Sequence, residues 1–555
     1  MENTPTTHYL YGASVQGIQG FIFQTNELKD IVGASELVEK ICTTAFIEMM
    51  NEGLSQNAAT FQEDSAIVMA AGNIKYIFDN EELCKKVVLG FPKKVMEMAP
   101  GITISQAVVK YGLDMPFTTF KSAVQELENR LRIQRNKPMR SMTLGSIGIL
   151  RSRKTGLPAI QYDKDEAIDP ATSKKRDNAK AGNNATLQLC KKIFGKDIKS
   201  DKVAYDINKI TDQNNWIAII HADGNGLGQV VQKVGTNPGL FKKFSVNLDK
   251  ATTFAAQKAY QRLNLTVKDK ERIPIRPVVL NGDDLTMICR ADIALDFTSY
   301  FLEEFEYATG SEKQSNESNP DSSIKETRKE LQNILHSNKV FKDGSTHLSA
   351  CAGIAYIKSS YPFYYGYELA ETLCTEAKRE AKTISGGMEK LPPSCLMFHK
   401  VQSSFVEEFE QIVQKELTAG TLEKPISFQF GPYYLSEQNT PGLGTRWSIK
   451  TLKNTLSLLQ NSSAGQAAKN HLRECANLLI NNPELAIQKL ERLKVLVQDD
   501  SELKKLIDQI FQLLKPKKDS SEPQNNSDQS PQPKRIPLYD LLTLYSVQYQ
   551  ITQKK

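Results

Sequence analysis

No apolar run in this chain of 555 residues approaches the ~18 residues that cross a bilayer. Its start, MENTPTTHYL, has neither the basic flank nor the apolar core of a secretory signal. A membrane role is therefore not expected, and the cytoplasm is the expected compartment. The 8 cysteines, scattered from Cys42 to Cys475, never form a CxxC pair, so they suggest neither a zinc ribbon nor a disulfide framework, and reduced, buried thiols are expected. His8, His221, His336, His347, His399 and His471 supply no HD dipeptide and no HExxH pair, which leaves histidine-based metal centres without support. GxSxG and Walker motifs are also missing. The excess of one charge sign is small: a net +6 does not by itself indicate nucleic acid. With 40% hydrophobic and 24% charged residues, the chain has the make-up of a globular protein rather than a disordered one.

What is there begins with VVLNGDDLTMIC, Val278 to Cys289, where two adjacent aspartates stand between apolar runs. Like charges so close repel, and neither can be buried without a partner. A hairpin turn is one reading, since Asn-Gly and Gly-Asp are common turn dipeptides. A divalent cation is the other. Taken alone, the stretch favours the turn.

The wider pattern changes that balance. YLYGASVQ reads as a strand, followed by Ile18, Phe21, Ile22, Leu28, Ile31 and Val32 at helical spacing. Gly33-Ala34-Ser35 predicts a break, with Ser35 capping a second helix. SAIVMAAGNIKYIF predicts a hairpin, ITISQAVV a strand, and SAVQELENRLRI a helix. The same order then recurs: WIAIIHADGNGLG with a helix from Gln229, a helix around ATTFAAQKAYQRL, the hairpin RPVVLNGDDLTMICR, the strand LSACAGIAYI and the helix GYELAETLCTEAKREAKTI. Two copies of this unit predict two α+β sandwiches, each an antiparallel sheet with helices on one face. GSEKQSNESNPDSS is an expected polar loop. After Met397 the pattern is mostly helical and predicts a bundle. A low-complexity linker then leads to IPLYDLLTLYSVQY, which is expected to dock back or onto a partner.

Only the second copy carries acids at both of its turns. Asp223 ends WIAIIHA, and Asp283-Asp284 sit in the hairpin; on adjacent strands, the three carboxylates would converge. Hard oxygen ligands of this kind suit Mg²⁺, and a pair of such ions supports phosphoryl transfer. Gly224, Gly226 and Gly228 precede a helix and allow backbone N–H groups to approach a phosphate. Lys378 and Lys382, one turn apart in AKREAK, are candidate phosphate contacts or else a solvated face. His221, two residues before Asp223, reads as structural. Basic clusters RLRIQRNKPMR, RSRK, SKKR and KKIFGKDIK lie between Arg130 and Lys199, and suit a phosphate backbone or a solvated face. Lys174, Lys175 and Arg176 are the cluster singled out for such phosphate contact, with a solvated face as the alternative.

SVQGIQGFIFQTNELKDIVGAS, HADGNGLG, NGDD and SACAGIAY…AETLCTEAKREAK, in this order, resemble the large polymerase/cyclase subunit of type III CRISPR effector complexes. The last of them is also similar to diguanylate cyclases, which share the palm fold. The resemblance implies two ferredoxin-like palm domains of nucleotidyl cyclase type and a C-terminal helical bundle. Residues 1–150 would form a first, degenerate palm, 151–205 a basic connection, and 206–400 the catalytic palm. Residues 401–515 would form the helical domain, 516–536 a disordered linker, and 537–555 a terminal segment. It implies Mg²⁺- or Mn²⁺-dependent joining of ATP into cyclic oligoadenylates in antiviral defence. The partners implied are other subunits of a type III complex and its guide and target RNA. Asp223, Asp283 and Asp284 match the catalytic, metal-ligating acids. Gly224, Asn225, Gly226, Asn281, Gly282, Lys378 and Lys382 would be nucleotide-binding. AAGN, Ala70 to Asn73, would mark the inert first hairpin. Departures are NGDD in place of GGDD, Asn225 where a second acid often stands, no HD nuclease expected, and no zinc-binding cysteines. Asn281 is expected to tolerate the left-handed conformation that glycine adopts there. A weakly catalytic scaffold, or a palm cyclase making another nucleotide signal, are the alternatives.

Overall fold

The computed structural model describes residues 7–552 apart from 53–60, 71, 138–147, 181–186, 212–214, 236, 269–270, 313–320, 388, 403–407, 421–424, 436–445 and 515–532. The first described element is the apolar strand His8–Gln16 (β1), followed by the hairpin Ala66–Ala70 (β2) and Asn73–Phe78 (β3), and then Thr103–Tyr111 (β4). These four strands form an antiparallel sheet in the order β2-β3-β1-β4. Helices Ile18–Ile22 (α1), Leu28–Lys40 (α2), Phe46–Asn51 (α3), Glu81–Met98 (α4) and Phe120–Arg135 (α5) accompany it.

Two expectations fail here. Helix α2 runs unbroken through Gly33-Ala34-Ser35, and Ser35 is not a cap: its hydroxyl donates to the Val278 carbonyl. Gly33 is there for proximity, since a Cβ would lie 2.0 Å from the Lys175 carbonyl oxygen. Helix α4 occupies a stretch for which the sequence pattern predicts no element. Its Pro92 cannot donate to Val88, and Gln106 Nε2 on β4 donates to that carbonyl instead, at 2.6 Å.

The connecting region holds a ribbon, Gln161–Asp163 (β5) and Glu166–Ile168 (β6), and two helices, Pro170–Lys180 (α6) and Gln188–Phe194 (α7). The second sheet begins with Trp216–Gly224 (β7), followed by Leu227–Val234 (α8) and Pro238–Arg262 (α9). The hairpin Ile275–Asn281 (β8) and Asp284–Arg290 (β9) leads to Ala294–Thr309 (α10) and Lys325–Ser337 (α11). Ala350–Lys358 (β10), Phe363–Ile384 (α12) and Cys395–Lys400 (β11) complete it. The order β8-β9-β7-β10 repeats that of β2-β3-β1-β4, and β11 then adds parallel to β10. The wholly antiparallel expectation therefore fails at β11.

Helices cover both faces of each sheet rather than one. In the first, Leu10 and Val109 pack on Ala123, Leu127 and Leu131 of α5, while Tyr11, Ala13 and Val15 face α2–α4. In the second, Ala218, Ile220 and Ala222 face α9 and α10, and Ile217 and Ile219 join the core with α2 and α12. Runs such as WIAII, apolar at every position, are the mark of a strand buried on both sides. One continuous core thus joins the first sheet to the α12 side of the second.

Beyond β11 come Phe409–Lys415 (α13), the short strands Thr418–Gly420 (β12), Pro425–Ser427 (β13) and Tyr433–Tyr434 (β14), and the helices Ile449–Asn461 (α14), Ser463–Asn481 (α15), Pro483–Leu496 (α16) and Ser501–Leu514 (α17). Lys534–Arg535 (β15) pairs parallel with β13, so this end of the expected linker is ordered sheet; residues 515–532 of it lie outside the described residues. Leu538–Thr552 (α18) docks back, burying Leu538, Leu541 and Leu544 in the core shared by α14–α17 and the second sheet. No helix among the described residues is long and apolar enough to cross a membrane. Of the expected polar loop, residues 313–320 lie outside the described residues.

Candidate functional site

Strand alternation builds the site. On β7, Ile217, Ile219, His221 and Asp223 share the face that meets α12; on the neighbouring β9, Asp284, Thr286 and Ile288 share it too, with Ala222 paired to Leu285 and His221 to Thr286. The β8–β9 loop is Gly282-Asp283, and Gly282 carries the positive φ of 59° that such a short turn requires. Oxygens of Asp223, Asp283 and Asp284 all lie within 4.8 Å of one another. Burial first, and then the neighbouring carboxylates of Asp284 and Asp223, push the Asp283 carboxyl well above its ordinary range. Burial and Asp223 push Asp284 up to about 7. Two like charges ~4 Å apart repel by about 4 kcal/mol at an effective dielectric of ~20, so the cluster calls for a compensating cation.

One cation comes from the protein. Lys378 on α12 donates to Asp223 Oδ2 and, at 2.9 Å, to the Gly224 carbonyl. Burial opposes its charge, but Asp223 outweighs this and holds the ammonium above its usual range. Gly224 leaves the space Asp283 needs: a Cβ there would stand 3.0 Å from Asp283 Cβ and 2.9 Å from Leu227 Cδ1. Gly226, at φ 75°, caps α8, which starts at Leu227 rather than Gln229.

Beside Asp284 opens a cavity of about 350 Å³, walled by α1 and α2 on one side and by the β8–β9 hairpin, His221 and Tyr367 on the other. Gln19 Nε2 donates to Tyr367 Oη at 3.1 Å and to Glu371 Oε1 at 3.0 Å, and Phe23 stacks on Tyr367 with centroids 4.5 Å apart. His221 lies 3.2 Å from Thr286 Oγ1, and burial pushes its pKa down to about 4, which keeps it neutral, as a structural histidine would be.

The fold thus gathers Asp223, Gly224, Asn281, Gly282, Asp283, Asp284 and Lys378 at one end of the sheet. Lys382 is exposed, with no bond to the carboxylates. Asn225 is buried, and its Nδ2 donates to Ser349 Oγ at 3.0 Å and to Cys351 Sγ at 3.3 Å. Asn281 does not take the left-handed position; it ends β8, and its Nδ2 donates to Glu39 Oε2 at 2.8 Å. Gln19, Phe23, Glu39, Tyr367 and Glu371 were not legible as site residues, because each becomes one only through contact between distant segments. Of the first hairpin, Ala71 lies outside the described residues.

The SKKR cluster is corrected. Lys174 is exposed, but Lys175 and Arg176 are buried. Lys175 Nζ donates to the Phe21 carbonyl at 2.7 Å and to Gln24 Oε1 at 3.0 Å. Arg176 pairs with Asp30 and Asp163 at 2.9 Å and with Glu166 at 3.0 Å. Its acids lie far apart in sequence, on α2 and the β5–β6 ribbon, so the neutralisation is visible only in three dimensions. Neither side chain is available to RNA.

No protein-family model matches the chain, and no curated protein matches it. Solved structures do. A chain of a Csm1-Csm4 cassette in complex with cA4 aligns with a TM-score of 0.53 at 11% identity, over 98% of this chain and 70% of that one. A Csm1-Csm4 cassette in complex with pppApA gives 0.53 at 12% identity over the same shares, 98% and 70%. The Csm1-Csm4 subcomplex in the type III-A CRISPR-Csm interference complex gives 0.50 at 12%, again over 98% and 70%. The chain therefore has a mixed α/β fold of the kind found in type III CRISPR effector subunits. More narrowly, it is the fold seen in the Csm1-Csm4 cassettes.

Proposed function

We propose that this chain is a Mg²⁺- or Mn²⁺-dependent nucleotidyltransferase that joins ATP into cyclic oligoadenylates, working as a subunit of an RNA-guided type III CRISPR complex. In this reading residues 1–150 are a palm that helps hold nucleotide and residues 206–400 the catalytic palm. The observation that carries it is the convergence of three carboxylates within 4.8 Å of one another. Chains of the same fold come from cassettes described with cA4 and with pppApA, which supports an adenylate substrate.

The residues fit a hard divalent cation: all three donors are carboxylate oxygens, half-buried, with repulsion only partly met by Lys378. When bound, the ions would activate the attacking 3′-hydroxyl and offset charge on the α-phosphate and the departing pyrophosphate. Asp223, Asp283 and Asp284 would hold them. Lys378, released from Asp223, would reach a phosphate oxygen as a point charge. The cavity beside Asp284 would take the nucleoside part, with Gln19 and Phe23 closing it from the first sheet's side. The new P–O bond forms as the bond to pyrophosphate breaks.

EDTA, or replacement of Mg²⁺ by Ca²⁺, is expected to stop turnover of labelled ATP, because Ca²⁺ takes longer bonds in looser geometry. Undiminished product in Ca²⁺ would count against the scheme. A second reading, a scaffold with a retired site, draws on the Lys378–Asp223 pair, which quiets one carboxylate without metal. Titration with Mn²⁺ separates the two: saturable binding lost in Asp283→Ala/Asp284→Ala supports the enzyme, and no binding supports the scaffold.

A further inference from the structure

At the other end of the same sheet, three strand ends bring cations together. Lys358, the last residue of β10, is the register partner of Trp216, the first of β7, and Lys400 ends the adjacent β11. Both ammonium groups lie over the Trp216 indole, Lys358 Nζ at 4.3 Å and Lys400 Nζ at 4.4 Å from its centroid. Lys400 also donates to Ser546 Oγ on α18 at 2.7 Å. A cavity of about 390 Å³ opens on them, lined also by Ser360, Tyr361 and Gln402. That falls in the range of small-molecule sites, ~300–1,000 Å³. Burial, then Lys358, then Arg473 on α15 hold Lys400 down to about 8, with no acid among the described residues offsetting them. Two cations over one aromatic ring, in a concave and partly buried place, gain from an anion what they lose to each other.

We propose that this pocket is an anion site for a small phosphorylated ligand, a polyphosphate or nucleotide, separate from the carboxylate cluster. Trp216 and Asp223 are seven residues apart on β7, about 23 Å at ~3.3 Å per residue. The occupant is small rather than a nucleic-acid strand because both ammonium groups converge on one ring instead of lining a track. With the lysines seated over the indole, recognition is of charge, so phosphates are held with little regard to base. This site is independent of the proposed catalysis, which its test excludes by omitting metal.

The probe is inorganic tripolyphosphate, titrated into the full chain in EDTA, read by tryptophan emission and by melting temperature. Trp216 reports directly; Trp447, the other of the 2 tryptophans, is buried beside Phe430. Wild type and Asp283→Asn/Asp284→Asn are expected to show the same saturable emission change and the same rise in melting temperature, with ATP and GTP alike. Lys358→Gln with Lys400→Gln is expected to weaken binding about tenfold or more, through loss of two charge-assisted contacts. Lys358→Arg with Lys400→Arg is expected to keep it, which guards against a folding artefact. Binding that survives the glutamine pair, the absence of any saturable response, or a response to single-stranded RNA with none to tripolyphosphate would each overturn the proposal.

Discussion

The hairpin ends of the two sheets differ where their connectivity is the same. In the first, Ala70 to Asn73 spans the turn, and Asn73 pairs with Ser14 of β1. In the second, Asn281 to Asp284 spans it, and Asp223 lies one rung beyond the Ala222–Leu285 pair of β7 and β9. Ser14 thus stands where the second sheet has Asp223, and Asn73 where it has Asp284. The helices that follow β4 and β10 each send a cation to this rung: Arg135 Nη2 of α5 reaches Ser14 Oγ at 3.4 Å, and Lys378 of α12 pairs with Asp223. The scaffold and the cation are common to both; the carboxylates are not. Anionic clustering is therefore not a by-product of this hairpin geometry. It is an added cost, met in one sheet only.

The largest effect that would sharpen this contrast is chemical. Asp283→Ala with Asp284→Ala should lower nucleotide joining by about 10³-fold or more, since losing a single group that holds transition-state charge costs ~10²–10³. The melting temperature should stay level or rise, because repulsion is relieved. Asn73→Ala in the first hairpin should leave joining intact; comparable losses from both would erase the distinction.

Next in size is the clamp that seats α1 and α2 between the two sheets. Arg176→Ala leaves Asp30, buried on α2, without its cation and should cost ~3–5 kcal/mol in urea unfolding. A cost near zero would mean that α6 does not hold the first sheet's helices in place.

Smaller again is the cation at each rung. Lys378→Gln leaves Asp223 unpaired and should lower metal-free stability by ~1–3 kcal/mol, with Mg²⁺ restoring it. Arg135→Gln, facing a neutral serine, should change stability by less than ~0.5 kcal/mol. Equal effects at the two positions would argue that the carboxylates do not set the local charge balance. Smallest is Lys174→Glu, on the exposed side of α6, at within ~0.5 kcal/mol.

Local features were the legible part. Both hairpins, strands β1, β4, β7 and β10, and the gathering of Asp223 with Asp283 and Asp284 follow from alternation, turn residues and the repeated order of elements. What the sequence hid was contact between distant segments. Gly33 looks like a helix break until Lys175 is seen against it. Helix α4 is disguised by Gly90 and Pro92, and its open carbonyl is met from another strand. Helix α10 buries residues all round, Phe297, Ser299, Phe301 and Leu302 among them, so no single apolar stripe marks it. The SKKR cluster reads as surface charge because its acids, Asp30, Asp163 and Glu166, lie on other elements. The cavity beside Asp284 was invisible for the same reason: half its wall comes from α1 and α2.

The central claim, that the carboxylate cluster of the second sheet joins ATP, is tested most directly by the full chain in the RNA-guided assembly proposed for it, with labelled ATP and Mg²⁺. The wild type and Asp283→Ala/Asp284→Ala would be compared for pyrophosphate release and cyclic product. The account predicts both products from the wild type and neither from the variant, at matched assembly. Equal yields from the two, or ATP left untouched by a wild-type assembly that has captured target RNA, would contradict it.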